Sequence, residues 1–444
     1  METVYLVGTH WKRSGSPLKA SSESLEELGR LAETAGGTVV GKILQSLDAP
    51  SPRTFIGKGK AEELRRLASR GAFRTLIFDD ELKPAQQKNL SEIIPAKVLD
   101  RTRLILDIFA RRARTREGIL QIELAQLSYL LPRMTERYGR FEQQVGGIGT
   151  RGPGERKLEV EARHIRDRVT HLRRQVDSIK LHREVARERR RNVPLPSAAI
   201  VGYTNAGKST LLNKLTSLYG QTREPIYADD RLFATLDPTT RRIRMPSGRV
   251  CLFTDTVGFI NKLPHHLIAA FRSTLEESLD ADVLVHLIDA ADPDFTGHAG
   301  TVRETLKSLE DGTDRKTDRI LPVFSKADLL SPARKARLES RAAGLFQAGD
   351  GDADVSPEDP PILLSAVEGT GIHRLLEAVE ERLARRMIET DVFIPFRHSG
   401  VLDALYRLGR VEQVSHRRRG VKLRLRLEKS HWGKLQKILH NGGP

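Results

Sequence analysis

The chain has 444 residues, 39% of them hydrophobic, and 74 Lys/Arg against 58 Asp/Glu give a net charge of +16. That apolar content supports real cores and excludes wholesale disorder, and the length allows two to four domains. A single cysteine, Cys251, excludes an intramolecular disulfide and a Cys-rich metal centre. In chain order, residues 1–100 predict a small α/β domain. Its strands are expected at 4–7 and 75–78 and its helices at 24–35 and 60–68. Residues 101–192 predict an antiparallel helical hairpin. Leu120, Leu124, Leu127 and Leu131 line one arm, and Leu158, Ala162, Ile165, Val169, Leu172, Val176 and Ile179 form a seam on the other. The joining loop, 139–154, is rich in glycine and carries Arg140 and Arg151. It reads either as a flexible linker or as a basic finger that orders on a partner.

Pro194 and Pro196 mark the next boundary. Over 193–388, strand-like runs at 198–201, 250–255, 283–289, 320–325 and 361–365 alternate with helical ones, which predicts a doubly wound, mostly parallel sheet. The stretch 352–361, acidic and Pro-rich, is expected as a loop insertion. Residues 389–444 predict a small basic α+β domain in the order strand, helix, strand, helix, with apolar and basic residues alternating from Val421. The whole is a multidomain α/β protein. Its charge is localised. Residues 151–191 hold fourteen Lys/Arg against seven Asp/Glu, and 391–444 hold twelve against four. Clustering of that kind points to a polyanionic partner rather than a general solubilising surface. The longest apolar runs are far shorter than a membrane span and no secretory leader is evident, so a cytoplasmic monomer is expected.

The chemistry lies in the 193–388 segment. Gly202, Tyr203, Thr204, Asn205, Ala206, Gly207, Lys208 and Ser209 fit G-x-x-x-x-G-K-[ST], between a strand and the helical run opened by Thr210. Backbone N–H groups in such a loop surround a phosphate at a helix N-terminus. Lys208 would reach the β/γ-phosphates and the Ser209 hydroxyl would ligate Mg2+. Asp255, Thr256, Val257 and Gly258 form D-x-x-G at a strand end. Asp255 would hold Mg2+ through water and the Gly258 N–H would contact the γ-phosphate. Phe233, Ala234 and Thr235 open the expected first switch. Thr235 is the candidate second Mg2+ hydroxyl, Thr239 and Thr240 compete for that role, and a plain polar loop is the alternative. Ser325, Lys326 and Asp328 match the guanine-recognition pattern N-K-x-D except at Ser325. Asp328 would accept guanine's N–H donors and Lys326 would pack along the base. Ser365 and Ala366 match the loop whose backbone N–H meets guanine O6. GTP and GDP are therefore the expected ligands.

The candidate catalytic set is Lys208, Thr235, Gly258 and Asn205. Phe259 stands where Ras-like proteins place a water-orienting Gln, so intrinsic hydrolysis should need outside help. Asn205 resembles the Asn of potassium-stimulated G proteins, which makes K+ a candidate helper. Cys251 lies mid-strand and reads as core. The adjacent pair His265 and His266 reads as switch or surface.

These motifs together resemble the HflX family. Further matching stretches are Phe55-Ile-Gly-Lys-Gly-Lys-Ala-Glu-Glu-Leu64, Phe78-Asp-Asp-Glu-Leu82, Gly146-Gly-Ile-Gly149, Gly152-Pro-Gly-Glu155, Phe259-Ile-Asn-Lys-Leu-Pro-His265 and Ala270-Phe-Arg-Ser-Thr-Leu-Glu276. The resemblance runs from about residue 1 to about 390. The resemblance implies a GTPase that binds the large ribosomal subunit. Some members split ribosomes under stress, with the N-terminal domain and hairpin meeting ribosomal RNA. Two departures stand out: Ser325 for the usual Asn, and Arg156 for the usual Thr after Gly-Pro-Gly-Glu. Some members are credited with ATP use through the N-terminal region, but no second phosphate-loop motif occurs in 1–192. The competing reading is an RNA- or tRNA-modification G protein whose G domain is a conformational switch.

Overall fold

The computed structural model describes residues 2–12, 18–138, 153–190, 195–220, 233, 238–262, 281–310, 319–345, 361–385, 387–396 and 409–428. The 139–152 part of the Gly-rich loop, Ala234, Thr235, His265, His266 and the 352–360 insertion lie outside them. The chain divides into two compact units: Met1–Ile179 with Tyr227–Asp237 and Val257–Leu275, and the remainder.

In the first unit, β1 (Glu2–Trp11), α1 (Leu18–Thr34), β2 (Gly37–Leu47), α2 (Lys58–Ser69), β3 (Thr75–Phe78), α3 (Pro84–Ile93) and β4 (Lys97–Asp100) build a parallel sheet in the order β2-β1-β3-β4. α1 forms because Leu25, Leu28, Leu31 and Ala32 recur on one face and are buried there. β2 and β4 were not expected. β2 is an edge strand with interleaved Lys42, Gln45 and Ser46, half exposed, so it lacks an apolar run. β4 has four residues, too few for a period.

α4 (Arg101–Arg112) follows β4 directly, capped by Asp100, whose carboxylate accepts from the Arg103 N–H at 2.9 Å. α5 (Arg116–Tyr138) and α6 (Pro153–Arg190) are the two long helices. The leucine seam expected on α5 needs correction. Leu120, Leu124, Leu127 and Leu131 are only partly buried, while Gln121, Ile122, Ala125 and Tyr129 form the buried face. The reason is tertiary. The Tyr129 hydroxyl donates to Asp100 (2.8 Å), and Arg133 donates to the Leu82 carbonyl (2.8 Å) and Asp100 (3.2 Å). These bonds turn α5 toward the sheet. On α6, Ala162, Val169, Leu172 and Val176 of the predicted seam are buried. Arg168 grips Glu123 of α5 through two hydrogen bonds of 2.8 and 2.9 Å.

The second unit contains β5 (Ser197–Gly202), α7 (Lys208–Tyr219), β6 (Thr239–Arg244), β7 (Val250–Asp255), β8 (Val283–Asp289), α8 (Phe295–Glu310), β9 (Ile320–Ser325), α9 (Pro332–Leu345), β10 (Ile362–Leu363) and α10 (Ile372–Arg385). The strand order is β10-β9-β8-β5-β7-β6, parallel except for β6. β6 falls where a loop was expected. Its sequence, TTRRIR, buries only Ile243 fully, which suits an antiparallel edge. β5 and β8 are buried almost throughout, as strands covered on both faces must be. Val323 packs with α7 and α10 while its neighbour Phe324 packs with α8 and α9, so helices cover both faces. Cys251 is buried in β7, where burial pushes its thiol up.

Three further strands, β11 (Met387–Pro395), β12 (Gly409–Arg417) and β13 (Gly420–Glu428), form an antiparallel sheet in the order β11-β13-β12. β12 is an addition to the expected strand–helix–strand order. The two expected helices fall largely outside the described residues.

Candidate nucleotide site

The phosphate loop leaves β5 at the point where the sheet's connections diverge, to β7 on one side and β8 on the other, the usual crevice of a doubly wound sheet. Its geometry makes special demands on the backbone at three positions. A Cβ on Gly202 would meet the Leu287 carbonyl oxygen at 2.4 Å, so only glycine fits there. Asn205 (φ 62°) and Gly207 (φ 90°) are left-handed, and α7 starts at the next residue, Lys208. The turn aims the helix N-terminus and its N–H groups into the loop.

The Lys208 ammonium is buried, donating to the carbonyls of Tyr203 (2.8 Å) and Gly202 (3.1 Å). Burial pushes its pKa down to about 8, against the opposing pull of Asp255. The Ser209 hydroxyl donates to Asp255 Oδ2 at 2.6 Å, so the two groups assigned to Mg2+ already touch. Thr256 Oγ1 bonds the Ile200 carbonyl (2.8 Å) and ties the D-x-x-G start to β5. Tyr203 and Thr204 are buried, and the Tyr203 ring stacks on His298 at 3.8 Å. These two residues therefore offer a nucleotide their backbone, with their side chains turned into the protein.

On the base side, Lys326 is left-handed (φ 55°) and its ammonium holds Asp289 at 2.7 Å. Asp328 sits half-buried in a 3-10 turn, Ala327–Leu329. The buried Ser325 hydroxyl lies 2.8 Å from the Ala206 carbonyl and 3.1 Å from that of Ile288. Its single proton is thus committed to the backbone. Ser325 ties the guanine loop to the phosphate loop but has no donor left for a base. The Ala327 N–H bonds the Leu364 carbonyl (3.0 Å), bringing Ser365 and Ala366 alongside. Lys214 of α7 donates to the Val367 carbonyl at 2.9 Å. Sequence reading missed Asp289, Lys214 and the Ala206 carbonyl. Each acts across more than thirty residues of chain, so no local pattern marks it.

The switch candidates divide. Thr235 and Ala234 lie outside the described residues, and Phe233 stacks edge-on against Phe109 at 4.5 Å in the first unit. Thr239 pairs with Asp255 in register, and the Thr240 hydroxyl is 2.9 Å from that of Thr254. Val257 and Phe259 are buried in the first unit. A buried phenyl ring cannot orient a water.

Beyond Gly258, the chain runs into an ion cluster that the sequence did not announce. Lys262 (φ 52°) bonds Asp79 at 2.5 Å and Asp80 at 2.9 Å, at the C-terminal end of β3. Arg101 holds Asp79 at 2.8 Å, pairs with Glu27 and donates to the Asn261 carbonyl at 3.0 Å. Ser24 donates to Asp79 at 2.6 Å and Thr9 to Asp80 at 2.5 Å. The cluster occupies the crevice above β1 and β3, the place where a parallel sheet takes a ligand. Three carboxylates there are a poor host for a phosphate.

Known families match most of the chain. Residues 22–110 match "GTP-binding GTPase N-terminal", 112–190 "GTP-binding GTPase Middle Region", 197–326 "50S ribosome-binding GTPase" and 355–443 "HflX C-terminal domain". GTPase HflX of Caldanaerobacter subterraneus is 42% identical over 402 residues, 90% of this chain and 87% of that one. The chain belongs to the HflX family of GTPases. GTPase HflX of Escherichia coli K12 is 38% identical, covering 94% of this chain and 92% of its own. A GTP-binding protein of Sulfolobus solfataricus, solved with GDP, is 24% identical over 87% of this chain and 99% of that one, at a TM-score of 0.43. The HflX likeness extends past residue 390, where the motif-based resemblance ended, to 443. As an HflX GTPase, the chain is a GTP hydrolase built on a P-loop domain. Among the described residues, no helix is long and apolar enough to cross a membrane.

Proposed function

We propose that this GTPase binds the large ribosomal subunit in its GTP state and acts there, in the cytoplasm, in ribosome splitting or rescue under stress. The observation that carries the reading is the outward face of α6. Arg163, Arg166, Arg173 and Arg174 are all exposed on the helix whose seam residues Ala162, Val169, Leu172 and Val176 are buried. A ridge of guanidinium groups suits an RNA backbone. It stands in a chain whose 197–326 segment matches a 50S ribosome-binding GTPase.

In this reading Lys208 neutralises the β/γ-phosphates, the 202–210 backbone cradles them, and Asp328, Lys326 and the Ser365–Ala366 loop hold guanine. Ser209 and Asp255 supply the hydroxyl and carboxylate oxygens that a hard cation prefers, and their contact fits Mg2+. When bound, Mg2+ would neutralise phosphate charge, and Thr235 would add the second hydroxyl. Gly258 would report the γ-phosphate. With Phe259 buried, the missing assistance comes from K+ beside Asn205, from the ribosome, or from both.

Co-sedimentation with separated ribosomal subunits tests the partner. We expect binding to the large subunit, tightest with a non-hydrolysable GTP analogue and weakened by salt. Binding indifferent to nucleotide would remove the switch, and absence from the large-subunit fraction would remove the partner. Hydrolysis should also run faster in K+ than in Na+ buffer, with Asn205→Ala erasing the difference. Equal rates in the two salts would eliminate K+ from the mechanism.

A further inference from the structure

β11, β13 and β12 turn Val392, Ile394, Val421, Leu423 and Leu425 inward. Strand register fixes what lies on the opposite face. Lys422 lies between Phe393 and Ser415, Arg424 between Asp391 and Gln413, and Gly420 between Pro395 and Arg417. Cross-strand partners share a face, so Phe393 stands among Lys422, Arg424 and Arg417. Phe393 is 47% exposed. Phe396, tied to the β12–β13 turn through its N–H and the Arg419 carbonyl (3.3 Å), is 56% exposed. Arg418 and Arg419 of that turn are exposed as well.

Two details make this a platform rather than a scatter of surface groups. A Cβ on Gly420 would meet the Phe393 Cζ at 2.8 Å. The tip of the ring thus reaches over the bare backbone of Gly420, where no side chain intervenes, and the ring stays half exposed. The charge around it is unbalanced. Asp391 is held by Lys422 (2.8 Å) and Arg424 (3.1 Å), Glu389 lies opposite Arg426, and Arg417, Arg418 and Arg419 add three further cations, so cations outnumber carboxylates on this face among the described residues.

We propose that this face binds unpaired RNA, with a base stacked on Phe393 and the backbone running along Lys422, Arg424 and the Arg417–Arg419 turn. Duplex RNA hides its bases and would gain only the charges. An aromatic ring among cations on an open sheet is the arrangement that single strands use. The inference extends the ribosome reading to a second contact region, but its test involves no ribosome, so either can fail alone.

Fluorescence anisotropy of the full-length protein with an end-labelled 12-nucleotide oligo(A), and with a duplex of equal length, decides it. Phe393→Ala should weaken single-strand binding about tenfold and leave duplex binding unchanged, and Phe393→Trp should restore it. Because Phe393 is exposed, GTP binding by the same variants should stay constant and so report an intact fold. Three results would overturn the proposal: equal single-strand affinity in Phe393→Ala and the parent, an equal loss for duplex, or a dependence on Phe393 seen only with poly(glutamate), which would mark the face as a site for acidic protein.

Discussion

Lys208→Ala should lower GTP affinity at least about a hundredfold, since two charge-assisted contacts to phosphate, each worth about 1.5–3 kcal/mol, are lost together. Folding should survive. The free protein holds this ammonium buried against two backbone carbonyls, and removing it relieves a desolvated charge. The same group predicts a pH dependence. In the free protein its pKa is pushed down to about 8, and phosphate at the site raises it. The bound state therefore holds more protons than the free state above pH 8, and GTP affinity should fall as pH rises through 8 to 9, by up to about tenfold per unit. Calorimetry in buffers of different ionisation enthalpy should register proton uptake on binding at pH 8.5. The alanine variant should show none, and a flat affinity profile in the parent would contradict the assignment.

Arg101→Ala should cost about 3–5 kcal/mol of stability in the first unit, the penalty for breaking a buried ion pair from one side. The Arg101 side chain is 2% exposed, as is Asp79, and Glu27 is 3% exposed. Without the guanidinium, the buried Asp79 and Glu27 lose the cation they share, and Asp79 keeps Lys262 and the Ser24 hydroxyl. Lys262→Ala, at a side chain 40% exposed, should cost less and leave Asp79 paired with Arg101. Burial works to raise the Asp79 pKa, but Arg101, Lys262 and the Ser24 hydroxyl outweigh it and hold the carboxyl below its usual value. A depressed carboxyl stabilises the fold above the unfolded value, about pH 4. That contribution disappears as pH falls through the still lower folded value. Urea titrations followed by Trp11 of β1 at pH 7 and pH 3 measure both effects. A change under about 1 kcal/mol for Arg101→Ala would show that water has access to the cluster.

Some elements of this chain were legible because their signals are local. Gly202 to Ser209 carries its own strand–loop–helix grammar. The apolar runs of β5, β7, β8 and β9 are long enough to declare buried parallel strands. The α6 seam is read from spacing alone. β2, β6 and β12 were missed because edge strands alternate polar and apolar residues and bury little. The α5 face was misread because Asp100, sixteen residues before Arg116, decides which side of that helix is held.

The sequence by itself pointed to the chemistry: a phosphate-loop pattern, a Ser and Asp pair of the kind that suits Mg2+, a carboxylate at Asp328 where the guanine-recognition pattern expects one, and clustered basic charge that suits a polyanion. Those are properties of residue type and short spacing, fixed by steric limits on the backbone and by which groups carry charge. Only the tertiary structure decided how Ser325 spends its one proton, where Lys262 anchors the segment after Gly258, and which faces of α5 and the C-terminal sheet stay open. Those outcomes depend on desolvation and hydrogen-bond partners that the chain brings together from distant positions, and no window of sequence contains both halves of such a pair.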